Sequence, residues 1–268
     1  MVLEHFYGNE WIHKKNRYAF IMGFLYSVIA IVLSSVIFNN FALASIFIAV
    51  IMITNSLNKL LSKEEVKIED EPNFKLSTLY KEHKDIFELH IFLFLGIFSA
   101  FAFFTLIWPK LATNPFFLEK IALQDVEIFS YSFGFISNLK LFLVGIILSF
   151  FYGAGGIFLI TLSAAVWGTA LGVIIKSSFF AIVNPFTYLI TLLAVLLPYF
   201  IFETMSFISA AIAGGILSKG AHNHHIISTK FKKMVIDAVI MFSFSVLLLL
   251  LSLLINNTVT SWLKSVLL

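Results

Sequence analysis

The chain has 268 residues, of which 60% are hydrophobic and only 12% charged, with 32 Phe and no Cys. Its mean hydropathy is +0.97. Soluble domains lie near half apolar and a quarter charged, so this mixture excludes a water-soluble globular protein and predicts an all-α polytopic membrane bundle. The absence of cysteine excludes disulfides and thiolate metal sites. The formal charge of +3 is small, so its distribution along the chain carries more information than its sum.

The chain opens on "MVLEHFYGNEWIHKKNRYAF", which is polar as far as Arg17 and shows no small-residue cleavage site. It does not read as a secretory signal, so the first span is expected to be retained. Apolar runs of about 20 residues match a hydrocarbon core about 30 Å thick. Seven such spans are predicted, at 18–38, 41–58, 90–108, 138–154, 157–175, 185–217 and 235–255. "FNNF" at 38–41 joins the first two into an N-terminal hairpin over 18–58. Residues 59–89 form the main polar loop. The fourth and fifth spans are short, so 138–175 reads either as two full spans or as a re-entrant pair, which leaves six to seven spans.

Residues 109–137 form a second, less charged loop. Within it, Thr113 or Asn114 can cap a helix that has Pro115 at its first position. Phe117, Ile121 and Ile128 fall on a stripe opposite Glu119 and Gln124, as expected of an amphipathic helix at the membrane surface or of a docking surface. With the N-terminus cytoplasmic, 13 of the 18 basic residues fall on the cytoplasmic side. Lys110, Lys120, Lys176 and Lys264 fall outside, and Lys140 lies at the mouth of the fourth span. The expected orientation is therefore N-terminus in, in a cell membrane.

Three later spans carry small residues every fourth position. These are Gly145, Ser149 and Gly153, then Ala164, Gly168 and Gly172, then Ser206, Ala210 and Gly214. Such stripes let helices approach closely in lipid, so spans four to six are expected to form one tightly packed core.

The sixth span holds the two residues that fit lipid worst, Pro198 and Glu203. Proline removes the hydrogen bond to the Ala194 carbonyl, and a kinked helix results. A carboxyl group near mid-depth must be paired, protonated or hydrated. Tyr199, one turn away on the same face, and Trp167 in the fifth span are the groups that can satisfy it. Lys140 is too far off in depth for a direct ion pair.

Catalytic constellations are missing. There is no G-x-S-x-G, no H-E-x-x-H and no second carboxylate in a membrane core, so no enzyme, metal or cofactor is expected. Asp237 reads as a partner of Lys232 and Lys233. "HNHH" (His222, His224, His225) has no defined metal-ligand spacing and reads as a solvated loop. The basic residues suit anionic lipid headgroups and not nucleic acid.

The C-terminal half resembles the stage II sporulation protein M family, integral membrane proteins. The likeness is carried by "FISNLKLFLVGIILSFFYGAGG" with its Asn138, by "SAAVWGTALG", and by "LLPYFIFETMSFISAAIAGGILS". Together these place the family core at 138–217. The family pattern P-H-G-x-x-E meets Pro198 and Glu203, but Tyr199 stands at the histidine and Phe200 at the glycine. The N-terminal half looks like the archaeal branch.

In bacteria the resemblance implies a membrane scaffold that recruits cell-wall hydrolases. Here it implies a protein that anchors or organises others, with membrane lipid and further proteins as partners and a homo-oligomer compatible with it. The alternative is a permease with a midplane site at Pro198 and Glu203. Loss of the family histidine and the lack of a second midplane charge favour the scaffold.

Overall fold

The computed structural model describes residues 16–39, 41–68, 76–111, 155–179, 184–223 and 228–267, with short helical pieces at 139–140, 143–145 and 147–148. Of 55–68 and 76–86 the backbone alone is described. Every element among the described residues is helical. They are α1 (Asn16–Ile37), α2 (Phe41–Ile68), α3 (Leu76–Ile107), a 3₁₀ turn (Pro109–Leu111), α4 (Gly155–Ser178), α5 (Pro185–Asn223) and α6 (Thr229–Leu267).

Among the described residues, five stretches are long and apolar enough to cross a membrane: Arg17–Ile37, Phe87–Ile107, Gly155–Lys176, Leu196–Ser218 and Phe231–Ile255. The apolar part of α2, Phe41–Thr54, is shorter. It rises about 21 Å at 1.5 Å per residue, against a core of about 30 Å. Apart from the short pieces at 139–140, 143–145 and 147–148, the expected fourth span lies outside the described residues, as does nearly all of the loop at 109–137.

Helix starts follow local chemistry. At α5 the Asn184 side chain accepts the Phe186 N–H at 3.1 Å, with Pro185 at the first helical position. At α6 the Ser228 hydroxyl accepts the Phe231 N–H, also at 3.1 Å. Two boundaries differ from the sequence reading. The polar stretch 59–89 is largely a continuation of α2 and the beginning of α3. Its Leu, Lys and Glu are strong helix formers, so loss of apolar periodicity ends the membrane segment without ending the helix. The glycines of "GAGG" also do not all serve as a turn, since Gly155 and Gly156 form the first turn of α4.

α4 is the central helix, with 83% of its apolar window buried, whereas the windows of α1 and α6 are 33% and 28% buried. Its neighbours are α3, α5 and α2, while α1 packs on α2 and α3, and α6 packs on α5. Close approach at glycine sets these contacts. A Cβ built on Gly172 would lie 2.6 Å from Thr105 Cβ and 2.9 Å from the Ala102 carbonyl oxygen, and one on Gly168 would fall on the Phe98 carbonyl. Gly168 thus faces 98–102 and Gly172 faces 102–105, so α3 and α4 run parallel. On another face of α4, a Cβ on Gly156 would lie 2.7 Å from the Ala211 carbonyl oxygen of α5.

This placement adds α3 to the core expected from spans four to six, since the helices of spans five and six pack on each other and α4 packs on α3 as well. The Gly168–Gly172 stripe packs on α3, the third expected span. Ala210 instead clusters with Leu159 of α4, Phe207 and Leu249 of α6. Ala164, Ser206 and Gly214 are buried as well, and Gly145 lies against the Leu159 side chain. Ser149 and Gly153 lie outside the described residues. A small-residue stripe marks a face that admits a close neighbour, but it does not say which helix will occupy it.

A second glycine contact was not flagged in the sequence reading. A Cβ on Gly23 of α1 would lie 2.6 Å from the Leu93 carbonyl oxygen and 3.3 Å from Ile97 N. One on Gly96 of α3 would lie 2.9 Å from Phe24 N and fall on the Phe20 carbonyl. Gly23 stands in a repeat of the same kind, Ala19, Gly23 and Ser27, outside the three later spans, whereas Gly96 has only Ala100 one turn on.

Candidate functional site

The site forms where α4 and α5 face each other. Glu203 is fully buried. The Trp167 indole Nε1–H donates a hydrogen bond to its Oε2 at 2.9 Å. Tyr199, one turn earlier on α5, is buried, lies within interaction range of the Glu203 carboxyl, and stands edge-on to Trp167 with ring centroids 5.4 Å apart. The structure therefore brings Trp167, Tyr199 and Glu203 together, residues drawn from stretches 36 positions apart along the chain.

Phe200 completes the surroundings. Its ring meets Trp167 edge-on at 5.0 Å and also contacts Phe98 at 5.5 Å and Phe94 at 5.9 Å. The carboxyl thus lies beside an aromatic cluster that ties α3, α4 and α5 together. Aromatic pairs add about 0.5–1.5 kcal/mol beyond their buried area. The sequence reading noted Phe200 only as the residue standing at a family glycine, and no periodic signal marks it as a bridge.

Pro198 does not belong to this site. It lies inside a helix assigned without interruption from Pro185 to Asn223, and its ring is exposed. Five residues separate it from Glu203, which is about 140° around an α-helix at 3.6 residues per turn. The proline therefore faces outward while the carboxyl faces α4, and the expectation of a single buried proline–glutamate site is corrected.

Depth is also refined. Within the window Leu196–Ser218, Glu203 lies about 10 Å from the N-terminal end and about 6 Å from the centre. The longer apolar run used in the sequence reading includes the first turns of α5, which precede that window.

The remaining candidates stand apart from the carboxyl. Asn138 lies outside the described residues, as do His224 and His225, and Lys140 is exposed. Asp237 is buried in α6, one turn after Lys233. Among the described residues, no three His, Asp or Glu side chains gather at metal-binding range.

The described residues, all in helices or their connections and with five helices long and apolar enough to cross a membrane among them, fit the class of multi-pass membrane proteins. No family model, curated protein or solved structure matches the chain.

Proposed function

We propose that the chain is a non-enzymatic scaffold or anchor of the cell membrane that organises partner proteins, as its resemblance to the stage II sporulation protein M family implies. The observation that carries this reading is the closed state of Glu203. A permease would turn its intramembrane carboxyl toward an aqueous path. Here the carboxyl is fully buried, holds the Trp167 N–H and lies beside Tyr199. Its supported role is that of a polar clamp between α4 and α5.

Seven crossings with the N-terminus cytoplasmic belong to the same reading. Parallel packing of α3 and α4 supports them. If both cross the bilayer in the same direction, the chain between them must return across it, and 138–154 is the stretch with the right composition. A bend in α5 at Pro198 is also part of the proposal, since that residue has no N–H for the Ala194 carbonyl.

The test replaces Glu203 with cysteine in this cysteine-free chain and applies a membrane-impermeant thiol reagent to each side of sealed vesicles. Control cysteines in the polar stretch 59–89 and in 112–137 should label from opposite sides, while position 203 should stay unlabelled. Labelling of position 203 from either side would overturn the clamp in favour of a permease.

A further inference from the structure

Directly below the Trp167–Glu203 contact, the α4–α5 interface holds two hydroxyls that the clamp does not use. Ser163 lies seven residues after Gly156 and four before Trp167, both of which face α5, so it shares their face. Ser206 lies one turn after Glu203 on α5. Gly156 is level with Ala211, and Trp167 with Glu203, so the helices run antiparallel and Ser163 falls level with Ser206. Both lean to the same flank. Leu159, one turn before Ser163, clusters with Ala210, one turn after Ser206.

Ser163 is 5% exposed and Ser206 0%. Neither hydroxyl has a hydrogen-bond partner. Of the other buried serines, Ser34, Ser45, Ser209 and Ser252 donate to a carbonyl of their own helix. Ser27 and Ser245 stand without a partner too, so what sets Ser163 and Ser206 apart is their common level beside the Glu203 carboxyl. Two orphaned hydroxyls within a turn of a buried carboxyl are costly in hydrocarbon unless something bridges them.

We propose that Ser163, Ser206 and the Glu203 carboxyl bind a single buried water that hydrogen-bonds to all three. Water suits the chemistry, because it needs two to four polar partners and can both donate and accept. The carboxyl keeps lone pairs beyond the one that Trp167 occupies. A hard cation suits it less well. Three side-chain oxygens fall short of the six or so such an ion takes, and the carbonyls of these helices are committed to their own hydrogen bonds. This proposal rests on the clamp reading of Glu203 and adds a wet second half to it.

The test is thermal unfolding of the full chain in detergent micelles, with Ser163→Ala and Ser206→Ala made in the native chain and in Glu203→Leu. Each serine variant should lower Tm by about 2–4 °C in the native background, and by less than half of that in Glu203→Leu. The double serine variant should fall no further than the larger single one, since both lose the same water. That comparison stands on its own if Glu203→Leu fails to fold. No change, a rise, an equal fall in both backgrounds, or an additive double variant would overturn the water site. Trp167→Phe separates the two readings. If it lowers Tm while the serine variants are silent, only the water fails; if Trp167→Phe and Glu203→Leu are both silent, the clamp fails too.

Discussion

Gly23→Ala and Gly215→Ala are the same chemical change inside apolar helices, and the structure requires them to act in opposite directions. At Gly215 an added Cβ meets nothing within 4 Å. The substitution there should stabilise α5 by about 0.5–1 kcal/mol, the usual gain of Ala over Gly in a helix interior. At Gly23 the same Cβ lies 2.6 Å from the Leu93 carbonyl oxygen and 3.3 Å from Ile97 N. Both are backbone atoms of α3, so no side chain can rotate away and the helices themselves must separate. Overpacking of this kind costs about 1–3 kcal/mol, and the propensity gain offsets part of it. The net expectation is a destabilisation of about 1–2 kcal/mol at Gly23, against a gain of up to about 1 kcal/mol at Gly215. Both variants would be followed by denaturant titration in mixed micelles, read by near-UV circular dichroism. Equal midpoints, or a Gly23→Ala chain more stable than Gly215→Ala, would refute the idea that α1 and α3 are held at glycine contact.

Other outcomes can be checked in the same assay. Glu203→Gln keeps an acceptor for the Trp167 N–H and should cost little, whereas Trp167→Phe leaves a buried carboxyl short of a donor and should cost about 1–3 kcal/mol. Leu159→Ala removes a fully buried side chain packed among Phe207, Ala210 and Leu249, and should cost about 2–5 kcal/mol. Phe200→Ala disconnects the ring that joins Phe94, Phe98 and Trp167. It should cost about 3–5 kcal/mol and should also disturb the near-UV tryptophan signal, which an effect confined to α5 would leave unchanged.

Much of the design is legible without coordinates. Apolar runs of membrane length, no cysteine and a sparse charge content determine an all-α chain of the multi-pass kind, because only a helix satisfies its own backbone in hydrocarbon. The same reasoning singles out Glu203, since a carboxyl in lipid must find a partner, and it names Trp167 and Tyr199 as the groups able to supply one. Sequence spacing is equally able to show that Pro198 and Glu203 lie five residues apart, and hence on different faces of one helix.

What the tertiary structure alone decided is which surfaces meet. The stripe at Gly168 and Gly172 is visible in the sequence, yet only the fold assigns it to α3 and leaves Gly156 to α5. Gly23 stands in the repeat Ala19, Gly23 and Ser27 and Gly96 in no such triplet, yet the two meet each other's helices, a pairing that exists only where two backbones come together. The reason is physical. Burial of apolar surface and backbone self-satisfaction are properties of one segment and its solvent, so composition reveals them. Helix partnership in a membrane depends on shape matching between two surfaces with nearly identical chemistry, and such matching is a property of the pair.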